Sequence, residues 1–408
     1  MKRSTLFLLL ISSTSLIGTG NPLLLGREPK QSATIVQREG FQSLDLDQKL
    51  SQIAARKNLP GFAVAVVSQN EVLFQKGYGL SDIERKVPYG PQSLQNVASV
   101  SKTLIGISLM QLVEQGKIKL DDDINTYLPF KVINPYFPED RITIRHLATH
   151  TSTLKDTNDF WLKDYVVADP TQLSRHGMSK APVLKAGNTR MPMGQFIKNL
   201  VAKEGAWYRK SNFLKQKPGT TFEYSNLGAG LAGYIVERVT GETLAEYSEK
   251  HILRPIGMTH SGWSFDKVSM DRFVSEYGPG MKLLPRYSLI TYPDGGFISS
   301  IEDISKYVME MIKGYQGEST LMRQDSFREM MRLQSNNNSG MGYGIFCAVW
   351  RNGYIGHSGG DPGTTTRIFF DPKTNTGTAM FINTTTRDRK GNPVAQDFSD
   401  IQKALGWP

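Results

Sequence analysis

Cysteine is almost absent from this sequence, and so are long apolar runs after the first residues. The single cysteine among 408 residues, Cys347, excludes an internal disulfide, and its apolar neighbours indicate a buried, unreactive thiol. Beyond residue 25 no apolar stretch is long enough to span a bilayer. We therefore expect a globular fold that depends on its hydrophobic core and not on disulfides.

The N-terminus has the features of an export signal. Lys2 and Arg3 precede an apolar run, and the small residues Gly18-Thr19-Gly20 follow it. Residues 1–20 are therefore predicted to be a signal peptide and residues 21–44 a linker, which predicts a periplasmic or secreted protein. An uncleaved anchor is the alternative, because the apolar character continues to Leu25.

Acidic residues are scarce in one segment of a chain whose net charge is +10. Between Arg175 and Lys217 there are ten basic residues and one acidic residue, Glu204. One interpretation is the solvated face of an insertion, and the other is attraction to an anionic cell-wall or membrane surface. Nucleic acid is not expected as a partner, because no nucleic-acid-binding motif accompanies the charge.

Both ends of the chain carry β-hairpin signals. Apolar runs flank the turn at Gln69-Asn70, and others flank the stretch from Lys373 to Gly377. Short connections of this kind join antiparallel strands. The sequence therefore predicts an α+β fold, in which one antiparallel sheet with flanking helices is built from both chain ends.

The middle of the chain has helical periodicity. Two apolar helical patterns end at Gly116 and Gly241, residues typical of helix C-termini. We therefore assign residues 45–115 and 290–408 to an α/β domain. Residues 116–289 are predicted to be an inserted, mainly helical domain that contains the basic insertion 175–217.

The stretch Gly356-His357-Ser358-Gly359-Gly360 matches G-x-S-x-G, the pattern around the nucleophilic serine of α/β-hydrolases. In those enzymes a helix follows the serine, and the catalytic histidine comes later in the chain. Here a further strand is expected after Asp361-Pro362-Gly363, and none of the six histidines follows Ser358. Ser358 is therefore excluded as a nucleophile of that type.

Two histidines, His146 and His150, have the spacing of zinc ligands on a helix. Leu147 occupies the position where the zinc-protease pattern has glutamate. We therefore interpret both histidines as structural, and we predict no metal and no other cofactor.

A better candidate nucleophile is Ser99, in the sequence Ser99-Val100-Ser101-Lys102. On a helix Ser99 and Lys102 lie on one face, one turn apart. With Asn96 as the N-cap, Ser99 is the third helical residue, and its amide lacks an intrahelical acceptor. That turn would present a hydroxyl, an amine and an oxyanion donor together.

Two further motifs suit the same chemistry. Tyr224 and Asn226 lie at a loop-to-helix junction, and a tyrosine beside a lysine ammonium is a credible general base. Gly359 and Gly360 leave the backbone of a strand bare, so that a substrate can lie against it. Taken alone, the first of these motifs would be better explained by a capping serine and asparagine with a packing tyrosine.

The order S-x-x-K, Y-x-N and H-x-G (Ser99–Lys102, Tyr224–Asn226, His357–Gly359) resembles the serine β-lactamase and penicillin-binding-protein superfamily. Within it the sequence is most similar to the class C β-lactamase-like serine hydrolases. Segments such as "ITIRHLATHTSTL" and "GHSGGDPGTTTRIFFDP" extend the resemblance from about residue 45 to the C-terminus. It implies a sheet with flanking helices, a helical domain, and a site between them that uses no metal or cofactor.

The resemblance also implies a role for each matching residue. Ser99 would be the nucleophile that forms an acyl-enzyme, and Lys102 and Tyr224 would handle its proton. Asn226 would contact both the substrate and Lys102. The backbone amides of Ser99 and Gly360 would form the oxyanion hole.

The third motif departs from the superfamily pattern. His357, with Gly359 at the substrate-binding strand, replaces the lysine of K-T-G, and Thr153 stands where glycine is usual. Histidine is mostly neutral at pH 7, so it binds a substrate carboxylate less well than lysine does. This disfavours an efficient β-lactamase.

We therefore predict an exported serine hydrolase that acts on a small-molecule or peptide substrate through an acyl-enzyme. A peptidase for D-amino-acid peptides and a carboxylesterase are equally favoured, and a β-lactamase less so. The alternative is a catalytically silent cell-wall-binding protein on the same fold.

Overall fold

A ten-stranded antiparallel sheet joins the two ends of the chain in the computed structural model, which describes residues 34–35, 43–168, 184, 188–337, 340–386 and 392–407. The strands in chain order are β1 (Thr34–Ile35), β2 (Gly61–Ser68), β3 (Val72–Asp82), β4 (Val87–Pro88), β5 (Gln95–Asn96), β6 (Tyr165–Val167), β7 (Tyr277–Gly278), β8 (Lys282–Leu283), β9 (Tyr287–Leu289), β10 (Ile298–Ser299), β11 (Ser335–Asn336), β12 (Met341–Tyr343), β13 (Ala348–Trp350), β14 (Ile355–Asp361), β15 (Thr364–Asp371) and β16 (Thr376–Ile382). The order in the large sheet is β1-β3-β2-β16-β15-β14-β13-β12-β11, with β4 paired to β3. The other strands form the small pairs β5–β10, β6–β9 and β7–β8.

The central pairing of the sheet is between β2 and β16, the inner strands of the two terminal hairpins, with Ala65 opposite Ala379. Both strands are rich in apolar residues, and β2 is buried along its whole length. Alternate side chains of β2 point to opposite faces, so it contributes to two hydrophobic clusters. The predicted antiparallel sheet from both chain ends is confirmed.

Helices cover both faces of this sheet. In chain order the helices of the described residues are α1 (Ser43–Ala55), α2 (Lys102–Glu114), α3 (Ile144–Ala148), α4 (Asn158–Asp164), α5 (Met193–Val201), α6 (Asn226–Thr240), α7 (Leu244–Ser248), α8 (Ile301–Gln316), α9 (Gln324–Met331) and α10 (Pro393–Ala404). Helix α8 packs on β2 and β16 on the face of the larger core. Helices α1 and α10 contribute the apolar side chains that cover the opposite face.

The two helices that frame the candidate site end where the sequence predicts. Gly116, two residues beyond α2, has φ +67°, and Gly241 caps α6 with φ +74°. Glycine adopts this left-handed conformation without the strain that a Cβ atom would cause, so it ends a helix readily. Helix α2 runs through the middle of the larger core, and nearly all of its residues are buried.

The signal peptide and the domain boundaries stay predictions. The predicted signal peptide, residues 1–20, lies outside the described residues. Among the residues that are described, no helix has the length and apolar character needed to cross a membrane. The domain boundaries at 115/116 and 289/290 stay predictions.

The basic insertion 175–217 is described only in part, at residue 184 and from residue 188 onward. Within that part Lys198, Arg209 and Lys217 lie within 4 Å of the acidic residues Glu204, Asp159 and Asp140 respectively. Some of its charge is therefore compensated within the chain, and its attraction to an anionic surface stays a prediction.

Candidate active site

Ser99 lies on a short turn that leads directly into α2. A 3-10 turn, Ala98–Ser101, is followed without a break by Lys102, the first residue of the helix. The predicted N-cap role of Asn96 is wrong, because Asn96 belongs to β5 and pairs with Ile298. Extended pairing continues to Val97, whose amide donates to the carbonyl of Phe297. The turn therefore begins only at Ala98, and Ser99 is its second residue.

The amide of Ser99 nevertheless lacks an acceptor in the described chain, which is compatible with the predicted role of an oxyanion donor. The carbonyl three residues earlier, that of Asn96, accepts the hydroxyl of Thr364. In the described chain the Ser99 amide donates to no other residue. The preceding residue, Ala98, has φ +48°, a conformation that is uncommon without glycine and that is often found at functional sites.

Lys102 is fully buried, and its amine contacts three oxygens. It lies 3.0 Å from the Ser99 hydroxyl, 2.6 Å from Asn226 Oδ1 and 2.6 Å from the backbone carbonyl of Asp294. Burial lowers the pKa of Lys102, and the carboxyls of Asp294 and Asp156 partly offset this effect. A buried lysine with a lowered pKa is suited to accept and return a proton.

These three partners also determine where a free amine would direct its lone pair. The amide and carbonyl oxygens of Asn226 and Asp294 can only accept hydrogen bonds, so each takes one N–H of Lys102. The third position of the amine faces Ser99. When Lys102 is an ammonium, that position donates to Ser99 Oγ, and when it is neutral, the lone pair accepts the hydroxyl proton.

The ring of Tyr224 also contacts the Lys102 amine. Its ring centroid is 5.1 Å from the Lys102 amine and 4.3 Å from the ring of His150. The amine over the ring is a cation–π contact, which favours the charged form of Lys102. Ser99, Lys102, Tyr224 and Asn226 are therefore brought together from two separate parts of the chain.

Asn226 is held in place by Asp156, a residue that sequence reasoning did not identify. The two carboxylate oxygens of Asp156 accept from the Asn226 amide, the Asn226 side chain, the Leu227 amide and the Ser225 hydroxyl. The backbone donors belong to the first turn of α6, where the unpaired amides and the helix dipole favour an anion. Burial raises the pKa of Asp156, and the hydrogen bonds from the Asn226 and Leu227 amides partly offset this effect. Because Asp156 binds Nδ2, Asn226 directs Oδ1 at Lys102.

His357 is buried in β14 and adds no positive charge. Its Nδ1 lies 2.7 Å from the carbonyl of Ser358, which can only accept, so Nδ1 carries the proton. Burial, followed by the charge of Lys102, lowers the pKa of His357 to about 3. Nε2 is then an acceptor, and in the described part of the chain it has no hydrogen-bond partner.

Gly359 allows β14 to approach the serine turn. A Cβ atom at this position would lie 2.3 Å from the Val97 carbonyl and 2.3 Å from the Thr366 hydroxyl. No other residue fits there unless the turn moves. Gly360 follows on the same strand, opposite Thr365, and its role as the second oxyanion donor stays a prediction.

Ser358 lies on the other side of β14. Side chains alternate along a strand, so Ser358 points away from the face that carries His357. The strand turns directly into β15 and no helix follows, as expected. The pattern G-x-S-x-G therefore contributes no nucleophile to this site.

The two histidines with zinc-ligand spacing have structural partners. His146 Nδ1 accepts from the Thr143 amide in a capping box at α3, and His150 Nδ1 accepts from the Ser225 amide. Within the described ranges no group of three or more potential metal ligands occurs. Thr153, which stands where the superfamily pattern named above has glycine, has a left-handed conformation with φ +72°.

A cavity of about 740 Å³ adjoins the serine turn. A Cβ atom on Gly295, one of its lining residues, would lie 3.9 Å from the carbonyl carbon of Ala98. Its wall is largely aromatic and aliphatic and includes Trp263, Phe265 and Leu289. Ser99, Lys102 and Tyr224 do not line it, so it is a neighbouring space and not the catalytic pocket itself.

An accessible serine hydroxyl beside a buried lysine amine, at the edge of an antiparallel sheet, is the arrangement of an active-serine protein of the β-lactamase fold. The Beta-lactamase family model matches residues 46–398. The chain belongs to that family.

Two curated relatives are similar over most of this chain. Protein flp of Staphylococcus aureus (strain N315) is 24% identical over 342 residues, which are 83% of this chain and 62% of the relative. The chain thus spans less than two thirds of that protein's length. The putative penicillin-binding protein PbpX of Bacillus subtilis (strain 168) is 25% identical and is covered over 72% of its length.

Solved structures support the same fold. An octameric penicillin-binding protein homologue from Pyrococcus abyssi aligns with a TM-score of 0.69 at 23% identity, covering 90% of this chain and 78% of its own. EstCE1, described as a hydrolase with promiscuous acyltransferase activity, aligns with a TM-score of 0.65 at 19% identity. The alignment covers 89% of this chain and 99% of EstCE1.

Proposed function

We propose that this protein is a serine hydrolase that cleaves an amide or ester through an acyl-enzyme. The observation that carries the proposal is the set of three oxygens around Lys102, because it directs the free amine at the Ser99 hydroxyl. Lys102 and Tyr224 are the proposed proton acceptors. Asn226 positions Lys102 and contacts the substrate.

In the proposed reaction Ser99 Oγ attacks the substrate carbonyl while its proton passes to the Lys102–Tyr224 pair. The new C–O bond gives a tetrahedral oxyanion, which the amides of Ser99 and Gly360 stabilise. When the carbonyl re-forms, the bond to the leaving group breaks, and the proton held by the pair goes to that group. Water then repeats the sequence on the acyl-enzyme and releases Ser99.

The surroundings of the serine favour particular substrates. His357 presents a neutral acceptor beside the site, so it suits a substrate N–H or O–H better than a carboxylate. The neighbouring cavity is mostly apolar and would accept an aromatic or aliphatic group. We therefore propose neutral esters and peptide amides, including those of D-amino acids, ahead of β-lactams.

Mass spectrometry after treatment with a fluorophosphonate tests the enzyme proposal. An adduct on Ser99 that is lost in Ser99→Ala and kept in Ser358→Ala supports it. Ser358 is the matched control, because it is a partly exposed serine on the neighbouring strand. An adduct that persists in Ser99→Ala would refute the assignment of the nucleophile.

A substrate panel of p-nitrophenyl esters with increasing acyl length, D-amino-acid amides and nitrocefin would then rank the substrates. We expect longer or aromatic acyl groups to be preferred over acetate, and nitrocefin to be the poorest substrate. A preference for nitrocefin would contradict the role given to His357.

The second candidate function, a catalytically silent wall-binding protein, is favoured only by the basic insertion. It predicts no adduct on Ser99 and salt-sensitive binding to wall fragments or anionic vesicles. Export, which both candidates assume, can be tested by fractionating cells that express the full chain.

A further inference from the structure

A buried threonine lies between two buried carboxyl groups behind Lys102. The hydroxyl of Thr291 is 2.9 Å from Asp164 Oδ1 and 2.6 Å from Asp294 Oδ2. The Thr291 amide also donates to Asp164 Oδ1, at 2.8 Å. All three residues are buried, and the backbone carbonyl of Asp294 is one of the three acceptors of the Lys102 amine.

The number of hydrogens in this cluster restricts its charge. A threonine hydroxyl has one hydrogen, so it can donate to only one of the two carboxyl groups. If both carboxyls were ionised, the Thr291 hydroxyl oxygen would face the oxygen of the second carboxylate with no hydrogen between them, and the two oxygens would repel each other. A second proton, on Asp164 or Asp294, turns that contact into a hydrogen bond.

The pKa shifts of the two carboxyl groups also indicate that one of them is protonated. Burial raises the pKa of Asp164 to about 7, and it raises that of Asp294 well above the ordinary range although Lys102 opposes the effect. Asp164 also raises the pKa of Asp294, and Asp361 and Asp156 raise that of Asp164, as expected for like charges in one buried site. At neutral pH the pair therefore holds one proton more readily than none.

The charged and titratable groups that act on Lys102 come from several elements. They are Asp294, Asp156, Asp361 and Asp164 among the carboxyls, and Tyr224, His150 and His357 among the other side chains. Both histidines are kept neutral, because burial and then Lys102 lower their pKa values. Burial favours loss of the proton from the amine, and the anionic groups oppose it.

We propose that Asp164 and Asp294 share one proton through the Thr291 hydroxyl, so that the pair keeps a single negative charge behind Lys102 and positions its amine. These are positioning residues, since they act through Lys102 and do not touch the substrate. The proposal rests on the proposed function only where catalysis is the readout.

The first test is a double-mutant cycle on the acid limb of kcat/KM for a p-nitrophenyl ester. Asp164→Asn and Asp294→Asn each leave one carboxylate, so each alone should move the midpoint only slightly. The double variant removes the charge, which lowers the pKa of Lys102. Its midpoint should therefore fall by about one pH unit or more.

Other protonation states of the Asp164–Asp294 pair predict different shifts of this midpoint. Two ionised carboxyls would make the single shifts large and additive, and two neutral carboxyls would leave the double variant at the wild-type midpoint. Either result would overturn the shared proton. Thermal unfolding of each variant shows whether it folds.

The second test does not depend on activity. Infrared spectroscopy of the protein labelled with ¹³C-aspartate at pH 7 should show the C=O band of one protonated carboxyl from this pair. Asp164→Asn and Asp294→Asn should each remove it, Thr291→Ser should keep it, and the isosteric Thr291→Val should shift or remove it. If the single variants keep the band, or Val behaves like Ser, the proposal fails even where the serine is active.

Discussion

Asp156 offers a sharp test of how the site is held together. The substitution Asp156→Asn keeps the shape of the side chain but replaces one acceptor oxygen with an NH₂ group. Each oxygen now accepts two hydrogen bonds, so two of the four contacts would face a donor instead. At about 1.5–3 kcal/mol for each of these two hydrogen bonds to a charged group, we expect a loss of about 3 to 6 kcal/mol in the free energy of unfolding.

The same change should reduce catalysis. Without the carboxylate the side chain of Asn226 is no longer compelled to direct Oδ1 at Lys102, so kcat/KM for a p-nitrophenyl ester should fall about tenfold to a hundredfold, or about 1.4–2.7 kcal/mol. Asp159→Asn is the matched control, because Asp159 lies on α4 and pairs with the exposed Arg209. If Asp156→Asn behaves like Asp159→Asn in both denaturant titration and kcat/KM, the reasoning is refuted.

Two further predictions concern β14. Because the folded pKa of His357 is lowered to about 3, this residue contributes stability above its unfolded pKa of about 6.5 that is lost as the pH falls toward 3. Between pH 7 and pH 5 the free energy of unfolding of the wild type should therefore fall by about 2 kcal/mol more than that of His357→Gln. Denaturant titrations of both proteins at both pH values measure this difference. An equal fall in the two proteins would contradict a neutral His357. Gly359→Ala should cut kcat/KM more than tenfold, because its Cβ atom would displace the serine turn. Gly353→Ala, at an exposed turn, should not lower kcat/KM. A Gly359→Ala variant that keeps its activity would show that the turn can move without loss of catalysis.

The sequence predicts the frame of this molecule better than its interior contacts. Hairpins and helix ends depend on local signals such as the turn at Gln69-Asn70 and the glycine at 241, and both occur as expected. The serine turn shows the limit, because a distant strand, β10, pairs with Asn96 and prevents it from capping the helix. Local propensity predicts a cap at that asparagine, and tertiary pairing overrides it.

The supporting residues of the site could not be found from spacing. Asp156 lies 70 positions before Asn226, and Asp294 lies 192 positions after Lys102. A carboxylate in a loop and a backbone carbonyl have no periodicity that points to a partner. The motifs S-x-x-K and Y-x-N were detectable because each combines reactive side chains within three or four consecutive residues.

The charges around Lys102 explain why a histidine is suited to the position where related sequences have lysine. A lysine at 357 would be buried near Lys102, and two ammonium groups in one pocket would lower the pKa of both. The neutral His357 avoids that repulsion and leaves Lys102 with the carboxyls that surround it. The site then lacks a cation at position 357 for a substrate carboxylate, and the proposed recognition of the substrate depends on Nε2 of His357 and on the apolar cavity. His357→Lys should therefore move the acid limb of kcat/KM to lower pH and favour carboxylate-bearing substrates together, and one change without the other would separate the two effects.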